Sequence, residues 1–168
     1  MGLPSWHNLS RALDDAGDTA RATQVLEGAV SDGHIGALVS LAQLNWKHGA
    51  LNDAAEFLKQ AERQVEPDDW ETHFALHLAY SAGIGSADRG QTLRLAFEHL
   101  LAAADASGDP RMKLSVGLHY WQGLNEVPPD FESADKWLSE AASSRIPDIV
   151  AEYRRFNKTK SGVTKDAT

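Results

Sequence analysis

Apolar residues in this chain recur every three to four positions and in no stretch alternate with polar ones at a period of two, so the pattern predicts helices and no strands. The segment Val116-Gly117-Leu118-His119-Tyr120-Trp121-Gln122-Gly123 puts Val116, Gly117 and Tyr120 on one helical face and ends at a glycine that can take the left-handed conformation in which helices stop. The run Asp130 to Ala142 repeats the arrangement with Ala134, Trp137, Leu138, Ala141 and Ala142. Two such helices form an antiparallel hairpin that cannot bury its apolar face alone. It needs neighbours of the same kind.

The neighbours are present. An Ala, a larger residue three positions on, Leu four on and Ala seven on recur as Ala22/Val25/Leu26/Ala29, Ala54/Phe57/Leu58/Ala61, Ala96/His99/Leu100/Ala103 and Ala134/Trp137/Leu138/Ala141. The starts lie 32, 42 and 38 residues apart, a period that belongs to helix-turn-helix arrays. Turn residues divide residues 1–160 into one repeat domain with units at about 4–33, 34–67, 68–108 and 109–146 and a capping helix at 147–160, followed by a tail at 161–168. Asp18, Asp109 and Asp130 are placed to cap helices, and Asp68 with Glu71 has the spacing of a capping box. Trp137 is predicted to fill the wedge between its paired helices. In the last helix Tyr153 and Phe156 face back onto the array, and Arg154, Arg155, Lys158 and Lys160 face outward.

The fourth unit resembles a Sel1-like repeat, whose pattern runs Leu-Gly-x-x-Tyr-x-x-Gly and then Asp-x-x-Lys-Ala-x-x-Trp-x-x-Lys-Ala-Ala-x-x-Gly. Here the matching residues are Val116-Gly117, Tyr120, Gly123, Asp130, Ala134, Trp137 and Ala141-Ala142, with Ser133, Glu140 and Arg145 departing from it. The third unit keeps the Tyr-x-x-Gly-x-Gly hairpin at Tyr80 to Gly85, but has His77 in place of Gly and His99 in place of Trp. The first two units are more similar to tetratricopeptide repeats, through Trp6, Leu9, Ser10, Leu13, Gly17, Ala22, Leu26 and Ala29, then Leu38, Leu41, Ala42, Asn45, Gly49, Ala54, Leu58 and Ala61. The resemblance implies an all-α, right-handed α-solenoid that binds another protein or a peptide.

It also implies where. In tetratricopeptide-type arrays the first helix of each hairpin lines the concave surface, and the register assigns to that surface His7, Arg11 and Asp14; Val39, Gln43 and Trp46; Phe74, Leu78 and Ser81; and Leu114, Leu118 and Trp121. The first share is polar and the others largely apolar, so the expected ligand is an apolar-anchored segment. The Lys and Asn residues of a carboxylate clamp are missing from these positions. Truncation of Trp46 or Trp121 is therefore expected to weaken binding and spare the fold. The competing expectation is that a tightly wound array buries these side chains between successive hairpins.

Composition narrows the functional classes. With 168 residues and no cysteine, the chain suits a single domain without disulfide or thiolate chemistry. No apolar run approaches the length needed to span a bilayer, and the default location is the cytoplasm. Residues 149–168 hold five Lys/Arg against two Asp/Glu, leaving eleven against twenty-two in the rest of a chain of net charge −8. A surface that acidic argues against nucleic acid. Candidate chemistry is sparse. His73 and His77, four apart, could present two imidazoles to a metal, but no third ligand is specified and a structural role fits them better. Gly83-x-Gly85 follows a helix rather than a strand and reads as a turn, not a phosphate cradle. The expectation is a non-catalytic adaptor, regulatory subunit or inhibitor, with no cofactor. Two alternatives are an enzyme built on the His73/His77 region and an obligate homo-oligomer, such as a homodimer, whose groove is filled by a second copy.

Overall fold

The computed structural model describes residues 5–163, which form α1 (Ser5–Asp15), α2 (Thr19–Ser31), α3 (Gly36–Lys47), α4 (Leu51–Gln64), α5 (Trp70–Ser81), α6 (Arg89–Ser107), α7 (Pro110–Gln122), α8 (Phe131–Ala142) and α9 (Pro147–Val163). The expected opening of the first unit at residue 4, and 164–168 of the expected tail, lie outside the described residues. Helices pair in sequence as α1/α2, α3/α4, α5/α6 and α7/α8, and α9 lies across α7 and α8. Successive hairpins are joined by α2 against α3, α3 against α5, and α6 against α7. The result is an all-α solenoid of four helical hairpins closed by a further helix.

The helix starts follow from aspartates. Asp18, Asp69, Asp88, Asp109 and Asp130 each accept a hydrogen bond from a backbone N–H in the first turn of the following helix, and each cap stabilises its helix by about 1 kcal/mol. The cap of α5 is Asp69, whose side chain accepts from the Thr72 N–H, and not Asp68. Helix α9 runs on to Val163, past the point near Lys158 where its apolar face ends.

The helix pairs close on small residues. A Cβ at Gly117 of α7 would lie 2.6 Å from Leu138 Cγ and 3.1 Å from the Leu138 backbone nitrogen of α8. Since the second obstacle is backbone, no rotamer change can relieve it. Beside it Trp137, 6% exposed, joins Phe97, Leu100, Ala104, Val116 and Val127 in a cluster linking the third and fourth hairpins. A separate cluster runs through the first three hairpins, and Phe156 of α9 joins Ala134 and Leu138 in another. The core is thus serial, as an array requires.

Among the described residues three non-glycine residues take a positive φ, Asn125 and Glu126 in the turn after α7 and Arg145 after α8. Arg145 adopts φ 60° after α8, at the site where the Sel1 pattern has glycine, and a Cβ in that region costs about 1 kcal/mol or more. Arg145→Gly is expected to raise stability by about 0.5 to 1 kcal/mol, after the extra freedom glycine has in the unfolded chain is offset. Trp137→Ala should cost about 3 to 5 kcal/mol, and Gly117→Ala about 1 to 3 kcal/mol. Urea midpoints of the three variants check the signs, and a Gly117→Ala protein as stable as the parent would mean that α7 and α8 do not meet at this residue.

Candidate functional site

The residues assigned to the inner wall by the repeat register have three different fates. On α1 and α3 they border a cleft of about 340 Å³ lined in part by His7, Arg11, Asp14, Ser40, Gln43 and Lys47. His7 Nδ1 lies 3.3 Å from Ser40 Oγ, and burial, then the neighbouring Arg11, push its pKa down. Arg11 is exposed and Gln43 half-buried. Asp14 faces inward: its carboxylate accepts from Lys47 Nζ, from Thr19 Oγ1 at 3.0 Å, and lies 2.7 Å from His48 Nε2. The Lys47 hydrogen bond first, and the His48 contact next, hold its pKa down to about 2. Asp14 ties the first hairpin to the second and is not free to meet a ligand.

In the middle of the array the apolar share divides. Trp46 on α3 is 44% exposed and Leu78 on α5 is 48% exposed, on two first helices that pack against each other. Phe74 is half-buried, stacked on His77 at 5.7 Å between centroids and packed on the cluster around Phe97. Val39 corrects the sequence reading: it is 1% exposed, because α3 is covered from both sides by α2 and α5 and lacks an open face at that position. It belongs to the core.

The fourth share is covered as well. Leu114, Leu118 and Trp121 pack against the Phe156 cluster, with the Trp121 ring edge-on to Phe156 at 5.5 Å and the Arg155 guanidinium 5.8 Å above it. The expectation that Trp121 stands in an open groove and can be truncated without cost is therefore corrected. Helix α9 occupies that end of the inner wall.

His73 and His77 do not converge. His73 Nδ1 lies 3.0 Å from His99 Nδ1, whereas His77 Nδ1 lies 2.8 Å from the Ala96 carbonyl oxygen and donates to it. Among the described residues no group of three His, Cys, Asp or Glu is placed to hold a metal ion.

What the structure does show here was not visible in the sequence. Tyr80 Oη donates to Glu62 Oε1 at 2.8 Å, His99 Nε2 lies 3.5 Å from the same oxygen, and the Tyr80 ring stacks on His99 at 5.8 Å with a 6° interplanar angle. Glu62, Tyr80, His99 and His73 form a chain of contacts across α4, α5 and α6. Burial first, and the Glu62 contact next, push the Tyr80 hydroxyl far up. The His99 contact holds the Glu62 carboxyl low. The available signal was His99 standing where the repeat pattern has Trp; its partner Glu62 comes from another hairpin and carries no local signature.

These features define the class: an all-α solenoid of helical hairpins. Comparison agrees. No family model matches the chain, and no curated protein matches it. Among solved structures it is similar to a Sel1 repeat protein from Oxalobacter formigenes, with a TM-score of 0.52 and 17% identity over 94% of this chain and 72% of that one. The likeness shows the fold, an α-helical repeat array like that of the Sel1 repeat protein. Among the described residues no helix is long and apolar enough to cross a membrane.

The Asp14 contacts have a measurable pH signature. A carboxylate depressed in the fold contributes stability above its ordinary value of 3.8 and loses it as the pH falls toward 2. Asp14→Asn should therefore be less stable than the parent at neutral pH, and the difference should shrink as the pH is taken from about 4 to about 2. Thermal melts of both proteins across that range check it; a difference that stays constant to the lowest pH would remove Asp14 from the junction.

Proposed function

We propose that this chain is a non-catalytic scaffold that binds a protein segment along the inner wall of its second and third hairpins. The observation that carries the reading is the exposure of two large apolar side chains, Trp46 and Leu78, on the adjoining first helices α3 and α5; Leu9, Leu51 and Leu124 are also exposed, but on other elements. Neither Trp46 nor Leu78 is needed to hold a helix pair together. Large apolar groups left in water on adjacent elements favour a partner that covers them, and aromatic anchors carry much of the binding energy in such interfaces. Half-buried Phe74 extends the apolar strip, while Gln43 and Arg11 supply a polar margin toward the first hairpin. The ligand chemistry is an extended or helical segment with two apolar anchors. Leu114, Leu118 and Trp121 are left out of this surface, since α9 occupies them.

Peptides selected from a random library on the intact chain test the reading. They should share apolar anchors, and Trp46→Ala and Leu78→Ala should each weaken them by about 2 kcal/mol, roughly thirtyfold, without a change in melting temperature. Trp121→Ala serves as the contrast, losing stability and leaving peptide affinity in the folded fraction unchanged. Peptides that bind both central variants at parental affinity would refute this surface. A dimeric mass in solution that Leu78→Asp returns to monomer would assign the same strip to a second copy of the chain.

A further inference from the structure

The contact between His73 and His99 has a chemical limit that apolar packing at the same place would not have. Two imidazole nitrogens 3.0 Å apart form a hydrogen bond only if one donates and the other accepts. His73 is buried and the His99 side chain is 12% exposed, so little water is at hand to replace the bond. We propose that this pair is a proton-sensitive latch on the third hairpin, closed while at most one of the two imidazoles is a cation and opened when both are.

The surroundings accommodate the first proton and not the second. A proton on His99 is met by Glu62, whose Oε1 lies 3.5 Å from His99 Nε2 and is fixed by the Tyr80 hydroxyl. A second proton on His73 sets N–H against N–H and two cations at contact distance, in a site of reduced dielectric. On its own helix His73 is aided by Asp69, and the Glu66 carbonyl also favours its charged form, but burial and the charge of His99 outweigh both and push its pKa below 6.5. The other titratable groups around the cluster are His77 of α5, also pushed down, chiefly by burial, His119 of α7, which acts on His77, and Lys59 of α4, which acts on Glu62. Among the described residues α3, though packed on α5, adds no charge to the environment of His73.

The direction follows from linkage. A histidine whose folded pKa is depressed takes up its proton more readily in the open chain. Its contribution is complete above 6.5 and is lost as the pH falls below that value. Glu62, whose folded carboxyl is also depressed, stays ionised through this window and loses its contribution only at lower pH. The latch joins α5 to α6, and through Glu62 both to α4 of the second hairpin. Opening it loosens α5, which carries Phe74 and Leu78, from α6 of its own hairpin, while the Tyr80–Glu62 bond still ties α5 to α4. If the surface described under Proposed function binds a protein segment, acid releases it; that consequence rests on that reading, and the latch does not.

Amide hydrogen exchange of the full chain at pH 7.5 and 5.0, corrected for the intrinsic pH dependence, separates the two. Exchange in α5 and in α6 around His99 should rise severalfold relative to α8 and α9 on acidification. In His73→Gln, which can still hydrogen-bond but does not titrate, the local rise should vanish. A rise retained in His73→Gln, or absent or uniform in the parent, overturns the latch. The parent protein also tests it without any variant: the His73 ring proton signal should titrate below 6.5 in step with the α5 amides, and titration at or above that value with unmoved amides overturns it equally. Loss of peptide binding at pH 5.0 is read separately, so an intact latch with no peptide ligand would refute the binding surface alone.

Discussion

Everything in this structure depends on how closely two helices of a hairpin can approach. Ala22, Ala54, Ala96 and Ala134 are all fully buried, as are Leu58 and Leu138, with Leu26 and Leu100 nearly so. The same register therefore sits at the same depth in all four hairpins. A methyl group at the crossing lets the axes come near, and the leucine one turn on fills the space that opens beyond it. Gly117 is the extreme case, because even a methyl there meets the Leu138 backbone. Once each pair is set at this spacing, its outer residues face the next pair, and stacking follows.

This constraint explains what could be read from sequence. Small and large residues alternate with a helical period in every unit, so hairpins, their order and the buried position of Trp137 were legible. Asp18, Asp109 and Asp130 were legible as caps because each precedes its helix directly, and Tyr153 with Phe156 gave α9 its inward face. Val39 was not legible as core. Ala37, Leu38, Val39, Leu41, Ala42 and Leu44 of α3 are all buried, so this helix has hardly an outer side at its start. A one-face rule cannot find that, since the cover comes from α2 and α5. Trp121 was misplaced for the same reason: its cover, Phe156, lies 35 positions away in the chain.

The third hairpin departs from its neighbours in kind. Where the fourth has Trp137 in its wedge, the third has His99, and the volume is made up by the Tyr80 ring stacked on it and by His73 beside it. Polar atoms brought into such a position cost free energy unless they are bonded, and here each has a partner, ending on Glu62 of the preceding hairpin. An apolar wedge holds a hairpin to itself. This polar one also reaches its neighbour, so the packing of α5 on α6 and the attachment of both to α4 are parts of one hydrogen-bonded unit.

The charge distribution then places the open part of the inner wall. The array is strongly acidic and the last helix basic, and at their meeting Asp135 of α8 receives Tyr153 Oη at 3.1 Å and Lys160 Nζ at 2.7 Å. Phe156 enters beneath these contacts and Arg155 lies over Trp121. Apolar burial and opposite charge thus act together to seat α9 over the fourth hairpin, where Leu114, Leu118 and Trp121 would otherwise be bare. At the other end Asp14, Lys47 and His48 join the first hairpin to the second through polar contacts. With both ends engaged, the large apolar side chains on the inner wall that neither closure covers are Trp46 and Leu78, on either side of the α3–α5 contact. The ligand proposed for that surface would bridge the second and third hairpins, which the Glu62, Tyr80 and His99 contacts join.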